Sequence, residues 1–162
     1  MRWMGLIVAL ALTWAAPAIA DIADDCEQED DLALRVQGCS AVIASGNWTG
    51  SDLAWAYNNR GYAYNETGDY ELALQDLATA LELDPQHGNA HHNRGVTYEY
   101  MGDHERAVVE WEIAIEMQGP DRVRWWQEWT RDYGGHYQGP IDGIYTDAVR
   151  AALLACAIDL DC

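Results

Sequence analysis

Lysine is absent from this chain of 162 residues, so arginine supplies all nine of its basic side chains. Against 27 acidic residues they leave a formal net charge of −18 at pH 7. Binding to phosphate backbones needs a basic surface, and this charge therefore argues against nucleic acid as a partner. It permits a basic or cationic partner, although the same charge is also typical of a simply well-solvated surface.

Long hydrophobic runs are also missing beyond the first 20 residues. That opening segment carries Arg2, then an apolar run from Met4 to Ala16, which is short for a bilayer span. It closes on the small-x-small pattern of Ala18 and Ala20, which is typical of a signal-peptidase site. We predict a signal peptide over 1–20, with cleavage after Ala20, and an uncleaved anchor is the alternative. The mature chain is then periplasmic or secreted, without stable membrane insertion.

The usual signatures of catalysis are lacking as well. No Ser-His-Asp signature, phosphate-cradling glycine loop or recognisable carboxylate pair occurs in the sequence. His87 and His91 have helical metal-ligand spacing, but Pro85 places His87 in a loop, so we predict no metal site. We therefore expect no enzyme activity and no cofactor, and a hydrolase-accessory role has the least support.

Cysteine is scarce, and no pair has the Cys-x-x-Cys spacing of metal and redox sites. The four cysteines are Cys26, Cys39, Cys156 and Cys162. An even number in an exported chain indicates two disulfides. Of the three possible connectivities we predict the local one, Cys26–Cys39 with Cys156–Cys162.

What the sequence does contain is an internal repeat. Asn59-Arg60-Gly61 recurs 34 residues later as Asn93-Arg94-Gly95. The same offset relates Tyr64 to Tyr98, Gly68-Asp69 to Gly102-Asp103, Ala73 to Ala107, and Ala80 to Ala114. A period of this length with small residues at fixed places is typical of stacked helical hairpins. Such arrays present an interaction surface rather than a catalytic pocket.

The repeated residues resemble the tetratricopeptide repeat signature of aromatic, glycine, aromatic, alanine, alanine and proline. The resemblance implies an all-α fold, a short helical-hairpin array of about two and a half repeats over residues 32–121. Its full repeats span about 54–87 and 88–121, and residues 32–45 supply one helix of a degenerate repeat. We expect residues 21–31 to be an acidic, poorly ordered lead-in, and Ser51-Asp52 to cap the next helix.

Small residues mark the expected close contacts between paired helices. Gly61 should face Ala73, and Gly95 should face Ala107. Arg60 and Arg94 stand where the family usually has leucine, and we predict that they pair with Asp76 and Glu110. His91 occupies the place of the packing aromatic residue Tyr57.

The first helices of the repeats should line a concave strip. Amide side chains there can pair with the backbone of an extended peptide, and aromatic rings add apolar contact. The predicted peptide-binding residues are Trp55, Asn58, Asn59, Tyr62, Asn65, His92, Asn93, Val96, Glu99 and Tyr100. For Asn59 and Asn93 a second reading stays open, in which they tether neighbouring helices.

The residues from 122 to 162 have a different character. A helix with Gln127 precedes a turn-rich stretch, Gly135-His136-Tyr137-Gln138-Gly139-Pro140-Ile141-Asp142-Gly143-Ile144-Tyr145, and a second helix follows. This arrangement resembles the short peptidoglycan-binding module of exported bacterial proteins. The resemblance implies a shallow sugar-peptide groove framed by Tyr137, Gly139, Asp142, Gly143 and Tyr145.

The match is incomplete, because Thr146 and Val149 replace the family's usual glycine and threonine. Trp125, Trp126 and Trp129 should pack on the second repeat, so that the segment caps the array. We predict a non-enzymatic adaptor that binds a protein or peptide partner in the concave strip. The alternative is a peptidoglycan-binding protein that acts through its C-terminal segment.

Overall fold

The computed structural model describes residues 19–132 and 135–158, and within these ranges the chain forms eight helices and no strand. The helices are α1 (Ile19–Glu27), α2 (Leu32–Ser45), α3 (Ser51–Thr67), α4 (Tyr70–Leu83), α5 (Gly88–Tyr100), α6 (His104–Gln118), α7 (Pro120–Asp132) and α8 (Asp147–Ile158). Most of the predicted signal peptide, residues 1–18, lies outside the described residues. Among those that are described, no helix combines the length and apolar character needed to cross a membrane.

Successive helices pack as three hairpins, α1 with α2, α3 with α4, and α5 with α6. Each hairpin also contacts the next, through α2 with α3 and α4 with α5. The first helices α3 and α5 touch each other directly. The predicted all-α hairpin array is confirmed.

The segment expected to be a poorly ordered lead-in is instead largely helical. Helix α1 buries Ile22 and Cys26, which pack with Cys39 and Val42 of α2. A disulfide joins Cys26 to Cys39, as predicted, with the two Cα atoms 4.4 Å apart. The covalent link and this apolar contact order the acidic segment. The array therefore begins with a complete hairpin rather than a single helix.

Gly38 explains how closely α1 and α2 approach. A Cβ atom at this position would lie 2.5 Å from the backbone nitrogen of Cys26 and 2.5 Å from Cβ of Asp25. Only glycine fits such a contact. Only one cysteine of the second predicted disulfide lies among the described residues. Cys156 is disulfide-bonded, and Cys162, its predicted partner, lies outside the described residues.

Helix ends follow from short local signals. Gly68 and Gly102 end helical segments with φ angles of 83° and 79°, values that glycine adopts without strain. Asp103 then begins α6 by accepting a hydrogen bond from the backbone N–H of Arg106 at 3.1 Å. The predicted Ser51-Asp52 cap is wrong by one position. Gly50 is the cap of α3 and Ser51 its first residue, because the chain enters the helix with φ of 56° at Gly50.

The predicted close contacts and ion pairs within the repeats are present. A Cβ on Gly61 would lie 3.3 Å from the carbonyl oxygen of Ala73, and one on Gly95 3.0 Å from that of Ala107. Arg60 donates two hydrogen bonds to Asp76, at 2.6 Å and 2.8 Å, and a third to Ser40 of the preceding hairpin.

The second repeat builds a larger version of this ion pair. Arg94 lies 2.8 Å from one oxygen of Glu110, and Nδ1 of His91 lies 2.8 Å from the other. His91, the residue expected to replace Tyr57 as a packing group, thus joins the polar interaction as well. The carboxylate of Glu110 thus binds two side chains of its repeat, His91 and Arg94, whereas that of Asp76 binds only Arg60 in its own repeat.

Helices α7 and α8 cover the far end of the array. Val108, Trp111 and Ile115 of α6 share one core with Trp126 of α7 and Leu153 of α8. The three neighbouring tryptophans differ in exposure: Trp126 is buried, Trp129 packs at the edge of the core, and Trp125 is 43% exposed. The segment therefore caps the array through Trp126 and Trp129, whereas the prediction that Trp125 also packs there is wrong.

Candidate functional site

A cavity of about 830 Å³ lies on the side of the array formed by α1, α3 and α5. We call it the groove. Its size falls within the range of roughly 300–1,000 Å³ that is typical of ligand pockets. The lining residues are Glu27, Glu29, Asp30, Arg35, Trp55, Asn58, Asn59, Tyr62, Asn89 and Asn93.

Five of the ten predicted peptide-binding residues line this groove: Trp55, Asn58, Asn59, Tyr62 and Asn93. They come from two helices, α3 and α5, because the side chains at the same repeat positions point to the same side of the array. The other five are placed elsewhere, and the structure gives each of them a different environment.

Asn65 is buried between helices, where its Nδ2 donates to the carbonyl oxygen of Asn93 at 3.1 Å. His92 lies against the ring of Trp126, with centroids 5.9 Å apart, and Val96 packs against the core cluster that contains this tryptophan. The C-terminal cap thereby covers the part of the strip that was expected to extend along α5. Burial of His92 lowers its pKa to about 4, with a smaller contribution from the positive charge of Arg122.

Glu99 and Tyr100 sit at the other end of α5. Burial raises the pKa of Glu99 above its ordinary value. Tyr100 is 52% exposed, and its ring lies 5.6 Å from that of Tyr70 on α4. Neither residue lines the groove.

The amide side chains in the groove form a connected row, which we call the amide ladder. Asn93 donates to Oδ1 of Asn58 at 3.0 Å, and Asn58 donates to Oδ1 of Asn59 at 3.2 Å. Asn59 in turn donates to the backbone carbonyl of Cys26 at 3.4 Å. The ladder connects α5, α3 and α1 in sequence. This geometry supports the tethering reading of Asn59 and Asn93.

The groove also has an acidic wall formed by Glu27, Glu29 and Asp30, all of them exposed. The groove's arginine, Arg35, is buried, donates from Nε to the carbonyl oxygen of Gln28, and lies 4.9 Å from the centre of the Tyr62 ring. Its guanidinium is thus already engaged by the protein. The remaining surface of the groove is negative and aromatic.

Sequence reasoning missed the whole acidic wall together with Arg35 and Asn89. Two signals could have revealed them. The predicted Cys26–Cys39 pairing places Cys26 against α2, and thus brings the following residues to the array. Asn89 stands 34 residues after Trp55, so the repeat period alone puts it on the same face.

The turn-rich segment of the C-terminal cap is organised around Gln127, which is fully buried. Its Nε2 donates to Oδ1 of Asp142 at 3.0 Å and to the carbonyl oxygen of Ile144 at 3.1 Å. Its Oε1 accepts from the backbone N–H groups of Asp142 and Gly143, at 3.1 Å and 3.0 Å. One glutamine therefore fixes the turn from both sides.

The predicted motif residues of this segment point mainly into the fold. The Tyr137 hydroxyl donates to the carbonyl oxygen of Pro140 at 3.0 Å, and the Tyr145 hydroxyl donates to Glu112 at 2.9 Å. A Cβ on Gly139 would meet the Tyr137 hydroxyl at 2.4 Å, so glycine is required there. Gly143 has a φ of 76°. Burial and the Glu112 hydrogen bond raise the pKa of Tyr145.

A metal centre has no support in the described ranges. Residues 19–132 and 135–158 contain no group of three or more histidine, cysteine or acidic side chains that could hold an ion.

Comparison with protein families identifies the repeated hairpins. Two family models, both described as tetratricopeptide repeat, match residues 54–87 and 77–109. Residues 54–109, from α3 to the start of α6, therefore match the tetratricopeptide repeat, and repeats of this kind are typically protein-interaction modules without enzyme activity. No solved structure gives a significant match.

Proposed function

We propose that this chain is a non-enzymatic adaptor of the cell envelope, which binds a protein or peptide partner in the groove. The repeats support the interaction role. The predicted signal peptide and the Cys26–Cys39 disulfide support a periplasmic or secreted location, because disulfides persist in oxidising compartments.

The observation that carries the proposal is a pair of half-buried aromatic rings in an open groove. Trp55 and Tyr62 both line the groove without being buried by the fold. By contrast, Asn58, Asn59 and Asn93 are engaged with one another in the amide ladder. Tryptophan and tyrosine are enriched among the residues that contribute most to binding at protein interfaces. The rings are accordingly the contact residues of the proposal, and the amides are mainly its support.

A photo-crosslinking amino acid at position 62 tests this function inside the producing cell. The matched control carries the same amino acid at position 75, because Gln75 is exposed on α4 and does not line the groove. We expect a discrete crosslinked adduct from position 62 and none from position 75. Adducts of equal yield from both positions, or none from position 62, would contradict a groove-binding adaptor.

Peptidoglycan binding is the second candidate, and one observation favours it. Ile144 is 59% exposed at the tip of a turn that Gln127 holds rigid, so the turn presents an apolar residue to solvent. The other motif residues are occupied by the fold. We therefore expect wall contact at this turn to involve Ile144.

Pelleting with purified sacculi tests the second candidate. Ile144→Asp is compared with Ile158→Asp, because both isoleucines are 59% exposed and only Ile144 belongs to the turn. Loss of pelleting with Ile144→Asp alone would support wall binding. Equal behaviour of the two variants would leave the segment as a cap of the repeat array.

A further inference from the structure

We infer that the groove takes a cationic, extended polypeptide segment, whose lysine or arginine side chains lie against the acidic wall. This inference rests on the proposed function and specifies the chemistry of its partner. It is carried by the placement of charges and rings around one cavity, not by the overall acidity of the chain.

Negative charges outnumber positive ones inside the groove. Three carboxylates line it, from Glu27, Glu29 and Asp30, with Arg35 as the lining cation. Arg35 is buried and directs its Nε to the carbonyl oxygen of Gln28, so that it serves to hold the turn between α1 and α2. Among the residues that the structure describes, no basic side chain forms an ion pair with these exposed carboxylates, so an incoming cation would meet them unpaired.

The groove already holds one guanidinium group, that of Arg35. The Arg35 side chain lies over the face of Tyr62, 4.9 Å from the ring centre. This arrangement is a cation–π contact, and it shows that the floor of the groove suits a planar cation beside an aromatic ring. Trp55, on the same helix about two turns further back and facing the groove, offers a second ring for a partner's basic side chain.

The groove is unsuited to an anionic partner. An acidic partner would place its carboxylates beside Glu27, Glu29 and Asp30, and the groove's arginine is already bound to the carbonyl oxygen of Gln28. Like charges brought together across an interface reduce affinity. The groove therefore selects against anionic segments and favours basic ones.

The acidic wall keeps its place because the N-terminal hairpin is tied down at several points. The disulfide fixes Cys26 to Cys39, Asn59 holds the Cys26 carbonyl, and Arg35 holds that of Gln28. The wall residues are within four positions of Cys26. They are thus held beside the groove before a partner arrives.

Three fluorescent peptides of equal length test the inference, with lysine, glutamine or glutamate at the same spaced positions of a glycine-serine chain. Binding to the full chain is measured by anisotropy at low and physiological salt. We expect the lysine peptide to bind, the glutamine peptide to bind more weakly, and the glutamate peptide to fail. Affinity should fall as salt screens the charges.

A pair of charge-matched variants separates the groove from general acidity. One carries Glu27→Gln, Glu29→Gln and Asp30→Asn, and the other carries Glu71→Gln, Glu82→Gln and Glu116→Gln at exposed sites outside the groove. Both lose three negative charges. We expect roughly tenfold weaker lysine-peptide binding in the first, from about 0.5 kcal/mol for each exposed pair, and little change in the second.

Each outcome decides one statement. Equal weakening in the two variants would mean attraction to the whole surface and would overturn the inference. Glutamine and lysine peptides that bind equally, with both losing affinity in Tyr62→Ser, would preserve the groove adaptor and refute cation selectivity. If no peptide binds, the inference fails, while the crosslinking result at position 62 still decides the adaptor function by itself.

Discussion

The two full repeats have the same hairpin geometry but face different neighbours. In the first repeat, Trp55 and Tyr62 open onto the groove. In the second, His92 lies against Trp126 of the cap, and Val96 packs against the same core cluster. The comparison teaches that a repeat position is a binding position only where the next element leaves it uncovered.

The largest difference that we expect between the repeats lies in their ion pairs. Asp76→Leu leaves the Arg60 guanidinium without its carboxylate, and should lower the free energy of unfolding by about 3 kcal/mol. Glu110→Leu deprives both Arg94 and His91, and should lower it by about 4 kcal/mol. Urea unfolding at pH 7 measures both.

The double variants sharpen this comparison. Arg60→Leu with Asp76→Leu should recover most of the lost stability, since an apolar pair can replace a buried ion pair. Arg94→Leu with Glu110→Leu should recover less, because His91 still lacks its carboxylate. Equal recovery in the two repeats would show that His91 contributes nothing to the second ion pair.

The next largest difference that we expect between the repeats is the cost of replacing their contact glycines by alanine. A Cβ on Gly95 would lie 2.4 Å from Nε1 of Trp111, whereas one on Gly61 would lie 2.9 Å from Cγ of the more adaptable Leu77. We expect Gly95→Ala to destabilise by about 3 kcal/mol and Gly61→Ala by about 1 kcal/mol. Adding Trp111→Leu should relieve much of the Gly95→Ala effect, as thermal unfolding would reveal.

The cap makes the second repeat sensitive to acid. Burial lowers the pKa of His92 from an ordinary value of 6.5 to about 4, so the unfolded chain binds this proton more readily than the folded chain. His92 therefore leaves the free energy of unfolding unchanged above its pKa in the unfolded chain, and lowers it as the pH drops from about 6.5 to about 4. Between pH 7 and pH 5 the loss should be about 2 kcal/mol.

His92→Gln isolates this contribution. Denaturant unfolding of the variant and the parent at both pH values should give a parent that loses about 2 kcal/mol more than the variant. The same loss in both proteins would mean that other groups cause the acid sensitivity.

The smallest effect should come from the amide ladder. Asn58→Ala removes the acceptor of Asn93 and the donor to Asn59, and should lower the unfolding free energy by about 1 kcal/mol. Asn47→Ala, at an exposed position before α3, is the control and should have almost no effect. An unchanged unfolding free energy in Asn58→Ala would contradict a tethering role of the ladder, and would leave its residues as candidate peptide-binding groups.

Much of the fold could be predicted because the repeat period is a local property of the sequence. The spacing of the repeated residues alone predicted the close contacts at Gly61 and Gly95 and the ion pairs of the arginines beside them. Helix α1 was not predicted, because its acidic composition is typical of a solvated, poorly ordered segment. Its order depends on the close contact with Gly38 and on the disulfide. Both of those depend on a neighbouring helix.

The candidate site was half predictable for the same reason. Trp55, Asn58, Asn59, Tyr62 and Asn93 follow from the repeat register, and the structure places them around the groove. His92 and Val96 occupy equivalent repeat positions, but the repeat register cannot predict that the cap packs over them. The acidic wall was missed because its residues belong to no repeat signature.

By itself, the sequence determined the hairpin period and the negative charge, because both depend on residue types and their spacing. It only favoured the pairing of Cys26 with Cys39, which the tertiary structure then confirmed. Only the tertiary structure decided which end of the concave strip stays open. Packing of Trp126 against His92 closes one end, and the tethered N-terminal hairpin brings Glu27 to the other. Burial is a property of three-dimensional neighbours, and no local pattern in a single chain records it.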